Sequence, residues 1–158
     1  MDTVVVFTGK NLETMFSEGG SGYWKANTNS LAKCKYIVTV ANARSDKFDK
    51  LSVENHSHAF MIGKIAGTLK VEDRLVIQFS EYATIDIPNA WSGQRNPVRY
   101  TDIGEFPIQT DSLNWQPFPK NKIAEVDNIK PLTIDEAKKG IAKMMGIATS
   151  CIEIIVRA

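Results

Sequence analysis

Two cysteines and two histidines are all that the 158 residues offer of the side chains most used to hold transition metals or to pair nucleophile with base at neutral pH. Cys34 and Cys151 lie far apart, with no partner at metal-ligand spacing, and Cys151 opens an apolar run where a small hydrophobe would serve. Reduced structural thiols, no metal and no cofactor are therefore predicted. An excess of one charge is lacking too: 19 Lys and Arg stand against 18 Asp and Glu, a formal charge of +1. No whole-molecule field draws the chain to duplex nucleic acid or an anionic membrane, so any such contact needs a local patch. The longest near-continuous apolar run, Tyr36 to Ala43, is far short of the roughly 20 residues of a membrane span. The Met1 to Phe7 start has neither a basic n-region nor a long enough apolar one for a secretory signal, which predicts a cytoplasmic protein without a membrane partner. Internal repeats and low-complexity segments are also missing.

What is present is an ordinary core composition, 43% apolar and 9% aromatic. At this length roughly 70% of the extended surface is buried on folding, enough for one domain over residues 1–158. Thr3 to Phe7 reads as a short strand, followed by a brief helix, Leu12 to Ser17, capped by Asn11. Gly19-Gly20-Ser21-Gly22 reads as a flexible turn. Tyr36 to Asn42 is apolar on both alternating faces, as a central strand covered on two sides would be. Ala59 to Gly67 and Arg74 to Ser80 flank the charged turn Val71-Glu72-Asp73 and predict a long antiparallel hairpin, which Thr84 to Ile87 extends past a bend at residues 81–83. Gly63 and Gly67 suggest a bulge or a close approach within it. All six prolines fall between Pro88 and Pro131. That stretch also holds Trp91, Tyr100, Phe106, Trp115 and Phe118, so it reads as an ordered, irregular excursion that packs down on the body. Thr133-Ile134-Asp135-Glu136 is a capping box that starts a helix over Ile134 to Met145, stopped by Gly146, and Ile152 to Arg157 reads as a closing strand. The fold expected is α+β: a mostly antiparallel, strongly bent sheet or partial β-barrel with a C-terminal helix and strand. No succession of β-α-β units exists to build a parallel doubly wound sheet.

Chemistry is sparse along this chain. Gly9-Lys10 follows a strand and precedes a helix, yet a phosphate-binding loop needs a glycine five residues earlier and a Ser or Thr where Asn11 stands. Glu54-Asn55-His56-Ser57-His58 contains both histidines, whose spacing puts His56 and His58 on one side of an extended chain. They can serve as ligand contacts or as acid and base, or simply bond backbone at a strand entry; a metal would need a third donor such as Glu54 or Asp86. The densest constellation is Trp91-Ser92-Gly93-Gln94-Arg95-Asn96-Pro97-Val98-Arg99-Tyr100. Arg95 and Arg99 suit bidentate recognition of phosphate, carboxylate or a base edge, Asn96 supplies an amide, and Trp91 and Tyr100 offer stacking faces. The same arginines could instead tie the loop to backbone carbonyls. Tyr23 and Trp24 form a second aromatic pair beside the glycine turn, either half of a clamp or cover for the core.

The succession of Gly22-Tyr23-Trp24, the buried strand at Tyr36 to Asn42, Ala59-Phe60-Met61-Ile62-Gly63-Lys64-Ile65 and the strand at Leu75 to Phe79 resembles PUA-like β-barrel domains of the ASCH, EVE and YTH type over residues 20–90 or so. The resemblance implies a small barrel that binds RNA or modified bases. With the residues above it leads to one expectation: a binding module, more readily a non-enzyme than an enzyme, that takes a nucleic acid or nucleotide-like ligand, such as an unpaired or modified base, in an aromatic pocket with an Arg pair. A small hydrolase or nuclease using His56 and His58, and a protein–protein adaptor working through the Pro-rich excursion, are the alternatives.

Overall fold

A computed structural model of the chain describes residues 1–45, 55–119 and 133–155. It separates into two compact units, Met1–Asn121 and Lys122–Ala158.

The first unit is built on a mixed, strongly curled half-barrel sheet. In chain order its elements are β1 (Thr3–Thr8), α1 (Leu12–Glu18), β2 (Ser21–Trp24), α2 (Thr28–Leu31), β3 (Tyr36–Ala41), β4 (Ala59–Val71), β5 (Arg74–Ile87), β6 (Val98–Thr101) and β7 (Gln116–Pro117). The strands lie in the order β2-β5-β4-β3-β1-β6, with β7 added to part of β5. β1 and β3 run parallel and the other pairs are antiparallel. β3 is internal, as its two-sided apolar pattern requires.

Alternation along the strands sorts side chains onto two cores. Val4, Val6, Ile37, Ile77 and Phe79 face one side, covered by Met15 and Phe16 of α1 and Leu31 of α2. Val5, Val38, Val40, Ile62 and Ala83 face the other, where the Pro-rich excursion packs Trp91, Phe106, Ile108, Leu113 and Trp115 on them. The excursion thus covers a sheet face through these residues, while Val98, Tyr100 and Phe118 pack on the helix-covered core; its last residues, 120–131, lie outside those described. Cys34 is buried in the helix-covered core, and burial pushes its thiol pKa up.

Local chemistry explains the element ends. Asn11 Oδ1 accepts the Thr14 N–H at 2.9 Å to cap α1. The glycine segment, expected as a flexible turn, instead carries α1 directly into β2: Gly19 caps the helix in the left-handed region, and a Cβ on Gly20 would stand 2.4 Å from the Ile77 carbonyl oxygen. The β4–β5 hairpin is continuous through Ile87. Gly67 marks a register shift, while a Cβ on Gly63 would meet the Phe79 ring at 2.9 Å. Val98–Thr101, inside the stretch read as loop, is a strand because it completes the free edge of β1.

In the second unit α3 (Ile134–Met145) begins at the Thr133–Glu136 capping box and ends at Gly146. The strand expected at Ile152 to Arg157 is not formed over Ile152–Ile155, and residues 156–158 lie outside those described. Among its described residues this unit offers no other strand to pair with. Cys151, read as a small hydrophobe, is exposed.

Candidate functional site

β2 is an edge strand, and its pairing with β5 sets Trp24 opposite Leu75. The indole packs against the helix-covered core and donates from Nε1 to Ser21 Oγ at 3.1 Å, which fixes its plane. Beyond it, the turn into α2 and the tip of the β4–β5 hairpin stand apart. Glu72 at that tip takes φ 55°, the left-handed value that lets Val71 and Arg74 pair across two residues. Between the turn and the tip lies a groove of about 420 Å³ lined by Trp24, Lys25, Ala26, Thr28, Lys70, Asp73, Arg74 and Leu75. Three cations face one carboxylate there. Asp73 is shared between Lys25 at 3.4 Å and Arg74 at 3.6 Å, both pairs well exposed, so solvent screens them and the groove stays positive.

Tyr23, next to Trp24, does not line this groove; it is 44% exposed and its ring lies 4.8 Å from the Lys10 ammonium. The remaining sequence candidates fall elsewhere. Trp91 is buried against the excursion-covered face, stacked on Phe7 with centroids 4.9 Å apart and planes 4° apart. His56 meets the same Phe7 edge-on at 5.4 Å, so His56 and Trp91 have Phe7 as a common neighbour. The His56 Nδ1 is buried and has no hydrogen-bond partner among the described residues. His58 Nδ1 lies 3.0 Å from Asp86 Oδ1, one of the two donors named from sequence; Glu54 lies outside the described residues. Among the described residues no three His, Cys, Asp or Glu gather where a metal could bind. Trp24 and Trp91 belong to opposite faces of the sheet and share no pocket.

The arginine-rich segment is divided as well. Arg95 is exposed and makes no ion pair among the described residues. Asn96 Oδ1 accepts the Val98 N–H at 3.1 Å, the turn that starts β6. Arg99 donates to Glu105 Oε2 at 2.8 Å, and its guanidinium lies 5.9 Å from the Phe106 ring. The Thr101 hydroxyl, and after it Arg99, hold the Glu105 carboxyl below its usual range. Tyr100 ties β6 to the residue that caps α2: its hydroxyl donates to the Asn27 carbonyl at 3.1 Å and accepts the Asn27 N–H at 3.0 Å, while burial pushes its pKa up.

Lys25, Lys70 and Arg74 carry no site signal in the sequence. Lys25 directly follows an aromatic candidate, but Lys70 and Arg74 sit in what looks like an ordinary solvated turn, and only the β2–β5 pairing brings them to Trp24. No helix among the described residues is long and apolar enough to cross a membrane. No family model, curated protein or solved structure matches the chain, so its functional reading rests on these residues alone.

Proposed function

We propose that the protein is a binding module for single-stranded nucleic acid or a nucleotide-like ligand, with Trp24 as the stacking face and Lys25, Lys70 and Arg74 as the phosphate contacts. One observation carries the reading: an immobilised indole lines a groove whose charged lining is three cations against Asp73. Every base has a π-face, so such a platform takes unpaired bases without needing their sequence, and a local positive patch supplies the backbone attraction that a net charge of +1 does not. A curled sheet with a base-reading groove is also what the PUA-like resemblance implies. Trp91 and Arg99, expected in the pocket, are engaged in packing and in an ion pair, and have no part in this reading.

The test is the anisotropy of a labelled single-stranded oligonucleotide titrated with the protein at several salt concentrations. Binding should weaken with salt, Trp24→Ala should weaken it roughly tenfold, and Lys70→Ala should lower the salt slope by about one. Equal affinity for duplex, or a Trp24→Ala protein that binds as well as the parent, would remove the assignment. The His58–Asp86 contact favours a hydrolytic reading to the extent that a carboxylate orients the imidazole. Asp86 is 86% exposed, however, and neither histidine nitrogen has a hydroxyl or thiol bonded to it among the described residues.

A further inference from the structure

The outer edge of β5 is only partly covered. β2 pairs with it at Leu75 and Ile77, and β7 at Glu81 and Tyr82, where the Ser80 carbonyl accepts the Phe118 N–H at 2.9 Å. Upstream of Gln116 the excursion leaves that edge instead of running on beside it: the Trp115 N–H bonds the Leu113 carbonyl at 3.0 Å and its indole bonds the Thr110 carbonyl at 2.8 Å. Past Tyr82, up to Ile87, β5 has no strand neighbour on that side among the described residues.

What remains between the strand edge and the excursion is a groove of about 450 Å³, lined by the consecutive residues Thr84–Ile87 on one side and by residues 107–109, 112 and 113 on the other. The half-buried Ile85, Ile87, Ile108 and Leu113 form its apolar part. Its single charged lining residue is Asp86, with His58 beside it. We propose that this edge is a docking site for an extended peptide that adds to β5 as the next strand, with alternate apolar side chains in the groove and a basic side chain opposite Asp86. The backbone edge, left without a strand neighbour among the described residues, selects the occupant, because only another main chain supplies alternating donors and acceptors at strand spacing. Four residues at about 3.3 Å each fix the recognised length at roughly four. The negative lining fixes the sign of the charge. β7 already uses the same edge in the same way two residues earlier.

The test is a selection of displayed random octapeptides on the full chain, counter-selected on Asp86→Lys. The expected outcome is enrichment of peptides alternating apolar and polar residues with at least one Lys or Arg. A synthetic peptide from that set should bind about tenfold more weakly, or worse, to Asp86→Lys and when its alternate amides are N-methylated, and should protect from exchange those amides of residues 84–87 that point away from β4. Leu113→Glu, which puts a charge on the groove floor, serves as a second variant, with circular dichroism reporting its fold. No enrichment over Asp86→Lys would overturn the proposal, as would binding indifferent to N-methylation. So would self-association of the unliganded chain that Leu113→Glu abolishes, which would make a second copy the occupant.

Discussion

The ammonium of Lys10 lies 2.6 Å and 2.7 Å from the two carboxylate oxygens of Glu18, and 2.7 Å from the carbonyl oxygen of Gly22. Lys10 is 6% exposed and Glu18 18%, so this pair, set in a Gly-Lys sequence that invites a phosphate-loop reading, is a clamp that fastens both ends of α1 to the start of β2. Removing one partner of a buried pair strands the other charge, which costs more than the pair is worth. Lys10→Met should therefore lower stability by about 3 kcal/mol in urea unfolding. Adding Glu18→Leu to it should return at least about 1 kcal/mol; a double variant no better than the sum of the singles would mean the two residues are not coupled.

Trp91 and the arginines near it separate by what they touch. Trp91 is 8% exposed and stacked on Phe7, so Trp91→Ala should cost about 3–5 kcal/mol through lost transfer energy and a cavity. Arg99→Ala loses the Glu105 bond and the Phe106 contact, a cost of about 1 kcal/mol. Arg95→Ala, on an exposed loop, should stay within about 0.5 kcal/mol. Thermal unfolding of the three variants ranks them directly, and an Arg95→Ala protein as unstable as Arg99→Ala would mean that Arg95 ties down the loop.

How much of this was legible in the sequence follows from the range of the interactions concerned. The capping box at Thr133, the Asn11 cap, the doubly apolar β3 and the hairpin about residues 72 and 73 are set by residues within a few positions of one another, and each forms where the pattern puts it. Val98–Thr101 reads as part of a ligand loop because its partner, β1, is almost a hundred residues away. Trp24 could be picked out as an aromatic beside glycines, whereas the cations facing it become neighbours only through long-range strand pairing. The Trp91 to Tyr100 cluster looked like one site because its residues adjoin in sequence. Entry into β6 turns Arg99 toward Glu105 and Tyr100 toward Asn27, so the cluster is dispersed by the period of the strand.

Acid should act on the join between β1 and β6. The Asp2 carboxylate accepts the Ile103 N–H at 2.9 Å and the Thr3 hydroxyl at 2.8 Å, and the backbone bond, with the hydroxyl adding to it, holds its pKa below the usual value. A lowered folded-state pKa means that the unfolded chain takes up the proton first. The contribution is thus complete above the ordinary carboxylate range, and is lost as pH falls through about 4 and below. Asp2→Asn keeps an acceptor oxygen but cannot titrate. Its melting temperature should be lower than that of the parent at pH 7 and should fall less on going to about pH 3; parallel curves for the two proteins would exclude Asp2 from the acid response.

Gly20 and Gly93 both take positive φ, at 154° and 83°, but for different reasons, and alanine at each should tell them apart. Around Gly93 nothing stands within 4 Å of a built Cβ, so Gly93→Ala carries only the conformational penalty of a left-handed residue, about 1–2 kcal/mol. At Gly20 the same carbon would stand 2.4 Å from the Ile77 carbonyl oxygen and 3.0 Å from the carbonyl carbon, in the backbone of the strand that β2 pairs with. A flexible side chain could move aside, but the β5 backbone cannot without giving up its ladder bonds to β4. Gly20→Ala should therefore cost about 3–5 kcal/mol, the range reserved for changes that break packing or backbone geometry. It should also loosen the Trp24 edge, read as faster amide exchange over residues 21–24 with the β1–β3 amides unchanged. If Gly20→Ala and Gly93→Ala melt together, the close contact between β2 and β5 on which the Trp24 groove depends is not maintained in solution.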